Sequence, residues 1–143
     1  MQNAYRGHIA VLIDERTYSD GETFAAGIKA LGIAPLVGTR TAGAGVRLSD
    51  RPTLADDGIA RTAESPQYAT DGRWVVEGLG VAPDVEVENM PHAAFEGTDA
   101  QLEAAVGLLS NAIAREPVPA LKPQPLAPLG TPAQDVTGSG RNW

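Results

Sequence analysis

The run His8-Ile-Ala-Val-Leu-Ile13 is apolar, rich in β-branched residues and free of charge, so it reads as a short strand buried on both faces. Polar residues from Asp14 to Tyr18 follow, and Asp20 to Leu31 then places Phe24, Ile28 and Leu31 at i, i+4, i+7, the spacing of one apolar helix face. Gly32 ends that helix. A second apolar run, Pro35 to Val37, enters the loop Gly38-Thr-Arg-Thr-Ala-Gly-Ala-Gly45, and the strand-helix-strand order predicts a βαβ unit. Between Val46 and Val76 short β-leaning pieces are broken by Asp56-Asp-Gly58 and by Asp71-Gly72, the second suited to a tight hairpin turn. Val85-Glu-Val-Glu88 alternates as a half-buried strand does. The last helix is the clearest element, with Leu102, Val106, Leu109 and Ile113 on one stripe and Thr98 and Asp99 as candidate caps. The class is α/β or mixed α+β.

Composition changes this picture at the C-terminal end. Six of the 11 prolines lie at 117, 119, 123, 125, 128 and 132, and Thr137 to Arg141 is rich in Gly, Ser and Thr. Such a stretch buries too little apolar surface to offset its ordering entropy, so residues 1–116 are expected to form one domain and 117–143 a flexible, Pro-rich tail. Residues 1–116 carry 9 basic and 17 acidic groups, and the whole chain has a net charge of -7, which disfavours binding to nucleic acid or to an anionic membrane face. Without cysteine there is no thiolate nucleophile and no Cys-ligated metal centre. Met1 to Gly7 has no apolar signal region, and Ile9 to Ile13 is too short to span a bilayer, so nothing targets or anchors this chain and a cytoplasmic location is weakly favoured.

Ser19 falls between the first strand and the first helix, where a sharp turn would project its hydroxyl beside the unpaired N–H groups of a helix start. The amide of Asp20 is then placed to stabilise an oxyanion. Ser19-Asp-Gly-Glu22 also matches the S-x-x-E capping box, and spacing alone favours the cap. A serine nucleophile needs a base, yet His8 opens a strand and His92 lies in a connection, neither in a catalytic signature. Neither H-E-x-x-H nor a calcium-loop pattern occurs, so no metal or other cofactor is expected. Gly43-Ala-Gly45 lacks the glycine and lysine spacing of phosphate loops and reads as a flexible turn at the rim of a site. Glu77 alone reads as a solvated carboxylate at a strand end.

Five ordered segments change those readings. They are Tyr18-Ser-Asp-Gly-Glu22, Lys29-Ala-Leu-Gly32, Leu36-Val-Gly-Thr-Arg-Thr-Ala-Gly43, Val76-Glu-Gly-Leu-Gly-Val-Ala-Pro-Asp-Val-Glu-Val87, and Pro91-His92 with Gly97-Thr-Asp-Ala-Gln-Leu102. Together, over roughly residues 8 to 112, the chain resembles the C-terminal catalytic domain of tricorn-type proteases, among the tail-specific or carboxyl-terminal-processing serine peptidases. The resemblance implies a partial ClpP/crotonase-like α/β domain with a mixed sheet and flanking helices. It places Ser19 on the nucleophile, the Asp20 amide on one oxyanion donor, Glu77 on the acid supporting the catalytic histidine, and Gly43 in a loop near the substrate.

In that family the histidine and the second oxyanion loop precede the segment where this chain begins, so the resemblance implies an N-terminally truncated piece. The expected partners are a peptide or protein substrate and an upstream segment carrying the histidine, with self-association into a homo-oligomer left open. The missing strands would leave an apolar sheet edge uncovered, favouring association with a complementary fragment or aggregation. The alternative is a non-catalytic peptide-binding or assembly module with a peptidase fold.

Overall fold

Residues 5–120 are described in the computed structural model. The chain runs β1 (Val11–Ile13), α1 (Asp20–Ala30), β2 (Leu36–Gly38), β3 (Arg47–Ser49), β4 (Thr62–Ser65), β5 (Val85–Glu86), α2 (Pro91–Phe95) and α3 (Ala100–Arg115). The βαβ expectation holds: β1 and β2 pair in parallel with α1 as the crossover, and β5 pairs in parallel with β2, giving the order β1-β2-β5. β3 and β4 form a separate antiparallel pair.

Local chemistry sets the element ends. α1 stops where Gly32 adopts φ 61, with the Gly32 N–H on the Lys29 carbonyl and the Ile33 N–H on the Ile28 carbonyl, the paired bonds of a Schellman ending. α3 starts at Asp99, whose Oδ1 accepts the Leu102 N–H at 2.9 Å. The Asp71-Gly72 turn forms as expected, with Gly72 at φ 82, a 2.8 Å bond from the Ala69 N–H to the Arg73 carbonyl, and Tyr68 bridged to Trp74 beyond it.

The core gathers Ile13, Ala25, Leu36, Val76 and Val81, with Val11, Ala26, Ile28 and Val75 packed against them. Leu36 and Val37 of the central strand are fully buried. β1 differs from the sequence reading, because Ile13 is buried while Ile9 and Leu12 stay 41% and 43% exposed. It is an edge strand among the described residues, so one side of it has no neighbour. The helices also turn differently from expectation. In α1 the small Ala25 and Ala26 face the core with Ile28, whereas Phe24 and Leu31 are exposed. In α3, which packs on β1 and β2, Gln101 and Ala105 are buried and the stripe Leu102, Val106, Ile113 faces outward.

Gly38 closes the β1–β2 pair at φ 132, and a Cβ there would overlap the Ile13 carbonyl oxygen. Gly38→Ala therefore combines an unfavourable dihedral with a backbone clash at the centre of the sheet. Its expected cost is about 3 kcal/mol or more, read as a lower midpoint in urea unfolding. An unchanged midpoint would show that the two strands separate there without penalty. None of the described helices is long and apolar enough to cross a membrane. The expected tail lies largely outside the described residues, which end at residue 120.

Candidate active site

Residues Tyr18 to Gly21 make a reversing turn closed by a 3.1 Å bond from the Gly21 N–H to the Tyr18 carbonyl. Ser19 occupies its second position with φ 55 and ψ -122, a conformation that glycine ordinarily fills. The loop that leaves β1 thus enters the helix through one strained, exposed residue. Ser19 and Glu22 sit in capping-box register, but just one of the two bonds has full hydrogen-bond geometry: Glu22 Oε2 accepts the Ser19 N–H at 3.2 Å, while the Ser19 hydroxyl lies toward the first helical turn without a well-formed cap bond. Among the described residues the Asp20 N–H meets no acceptor. A hydroxyl and an unpaired helix-start amide therefore sit side by side at the surface.

Both line a cavity of about 830 Å³, whose walls also include Ala44, Gly45, Val46 and Glu77. Glu77 follows a second strained residue. Val76 has φ 70, and the Glu77 N–H returns to the Val75 carbonyl at 2.9 Å, the three-residue bond of a γ-turn. Burial of the Val76 side chain in the core holds this turn, and Gly45 permits it, since a Cβ at 45 would overlap Val76. Glu77 Oε2 accepts the Gly45 and Val46 N–H groups, each at 2.8 Å, and Oε1 has no protein donor among the described residues.

Gly43 itself is not on the cavity wall. Its N–H goes to Glu22 Oε1 at 2.7 Å and its carbonyl takes the Gly78 N–H at 2.8 Å, so the next three residues present the surface expected of it. The segment carrying Glu77 is tied down on its far side as well. Asp84 accepts the Leu36 N–H and pairs with Lys29 at 2.8 Å, and those two partners, the backbone bond first, hold its carboxyl below the usual aspartate range.

Neither histidine reaches this cavity. His8 Nε2 is 2.7 Å from the Glu116 carbonyl oxygen and lines a different groove, against α3. His92 is exposed on α2, 3.4 Å from Glu96. No group of three or more metal-ligating side chains occurs among the described residues.

Sequence reasoning missed what Glu22 does. Assigned to a cap, it is in fact fully buried, and it also accepts the Thr41 hydroxyl at 2.5 Å and the Ala44 N–H at 2.8 Å. Burial by itself would raise its pKa; the Thr41 hydroxyl and the Gly43, Ala44 and Ser19 amides outweigh that and hold the carboxyl below the ordinary glutamate value. The available signal was its place one helical turn before Ala25, on the inward face of α1.

The profile of Peptidase family S41 matches residues 1–87. The chain belongs to that family. Among curated relatives, the tricorn protease of Thermoplasma acidophilum is 36% identical over 107 residues, 75% of this chain and 10% of the relative. Tricorn protease homolog 1 of Streptomyces coelicolor is 38% identical over 116 residues, 81% of this chain and 11% of the relative. A crystal structure of the tricorn protease superposes with a TM-score of 0.68 at 36% identity, covering 74% of this chain and 10% of that one. The chain thus spans about a tenth of the length of these relatives, and over the superposed part it shares the fold of the tricorn protease structure.

Proposed function

We propose that this S41 chain is the nucleophile-bearing part of a serine peptidase whose base is supplied by polypeptide outside it. The observation that carries the reading is the meeting of Ser19, the free Asp20 amide and Glu77 on one cavity in a member of this family. Ser19 Oγ attacks the scissile carbonyl carbon while a histidine takes its proton. The Asp20 N–H receives the oxyanion, and Glu77 Oε1 accepts the N–H on the far side of the imidazole, fixing its orientation. The proton then passes to the leaving amine, and water repeats the sequence on the acyl-enzyme. Support for an outside base comes from the cavity, which no histidine among the described residues lines, and from the small share of the relatives that the chain spans.

The test mixes the chain with a segment bearing the histidine and the preceding strands of an S41 domain, and adds a fluorophosphonate probe. The expected result is labelling that needs both pieces and maps to the peptide containing Ser19. Peptide binding without labelling, even in the mixture, would instead favour the non-catalytic module. Labelling mapped to another residue would overturn the assignment of the nucleophile.

A further inference from the structure

Four consecutive amides of one loop point at two carboxylates. The Gly43 and Ala44 N–H groups donate to Glu22, and the Gly45 and Val46 N–H groups donate to Glu77. Glu22 also receives the Ser19 N–H, which it shares with the Ala44 carbonyl at 3.2 Å, and the hydroxyl of Thr41, which in turn accepts the Val81 N–H at 2.7 Å. We infer that Glu22 is a positioning residue that sets the distance between the nucleophile and Glu77 through residues 43–46, without touching substrate itself. This inference rests on the peptidase reading of the site.

The acceptor capacity of Glu22 is fully used. A buried carboxylate offers two acceptor oxygens, and here each takes two donors: Thr41 and Gly43 on Oε1, Ala44 and Ser19 on Oε2. Nothing shorter or neutral serves all four. Glutamine keeps the volume but turns one oxygen into an NH₂ group, so two of the four donors would face a donor. Ser19 holds a conformation that a free chain avoids, and Glu22 binds its amide on one side while gripping the neighbouring loop on the other. Release of that grip lets the loop, and with it the oxygen of Glu77, move relative to the Ser19 hydroxyl. A displacement of about 1 Å at such a site lowers turnover about 100-fold.

Two measurements test this. Amide hydrogen exchange on the chain alone compares the parent with Glu22→Gln: the Gly43 and Ala44 N–H groups are expected to exchange at least about 10-fold faster in the variant, with the helix signal retained. Peptide hydrolysis by the chain mixed with the histidine-bearing segment is expected to show kcat lowered about 100-fold with KM within twofold. If Glu22→Gln fails to fold, the Thr41 pair decides, because Thr41→Ser keeps the hydroxyl and the parent rate whereas the isosteric Thr41→Val loses about tenfold or more. Unchanged exchange at residues 43 and 44, unchanged kcat, or equal rates for the two Thr41 variants would each overturn the inference. A parent mixture without turnover defeats the peptidase reading, and with it any catalytic purpose of the tether. The exchange arm still reports whether Glu22 holds the loop.

Discussion

Ser19→Ala is expected to lower peptide hydrolysis by the complemented protein by roughly 10⁴-fold or more while leaving the thermal midpoint nearly unchanged. The size follows from chemistry, since alanine has no oxygen to form the acyl bond and the Asp20 amide can then polarise only a carbonyl that water must attack. The thermal half follows from the structure. The Ser19 hydroxyl is exposed and makes no well-formed cap bond, so its removal forfeits little of the helix-start stabilisation that a true serine cap supplies. Steady-state hydrolysis and a melting curve on the same samples separate the two effects. A large fall in the midpoint would return Ser19 to the capping role, and surviving hydrolysis would remove it from the reaction.

The second large effect is at Glu77. Its Oε2 is committed to the loop amides of Gly45 and Val46, so the substitution that isolates Oε1 is Glu77→Gln with the amide oxygen kept on those two donors. In the proposed mechanism the NH₂ group then faces the imidazole N–H, and two donors oppose each other where one bond would orient the base. Loss of the orienting carboxylate costs about 10⁴-fold in a serine triad of this logic, and a fall of roughly 10³–10⁴-fold in kcat is expected here. Glu77→Ala is expected to do as much damage and, in addition, to free the Gly45 and Val46 amides to exchange. A loss under tenfold in Glu77→Gln would mean that some other group orients the base.

How far the sequence foretold this site depends on range. The turn at Ser19, the Schellman ending at Gly32 and the cap at Asp99 are written in residues within a few positions of one another, and they form as read. Glu77 was placed by resemblance to a family, since nothing within a few residues of it tells a solvated carboxylate from one that grips Gly45 and Val46 across 32 and 31 positions. The same holds for Glu22, whose partners at 41, 43 and 44 lie well beyond the reach of a capping motif. Helical periodicity found α1 and α3 but misplaced their buried faces. It weighs large apolar residues, whereas contact with the sheet selected the small ones, Ala25 and Ala105, and turned Phe24 and Leu102 outward.

Among the described residues only three that are not glycine hold a positive φ, and two of them, Ser19 and Val76, are the proposed nucleophile and the residue directly before Glu77. Each such conformation costs the fold about 1–3 kcal/mol that glycine would largely avoid. At Val76 the loss of a buried core side chain outweighs that gain, but Ser19 is exposed, so a directed-evolution screen that rewarded thermal tolerance alone would drift toward glycine at position 19, and its winners would be the hardiest versions of this protein and the poorest at breaking a peptide bond.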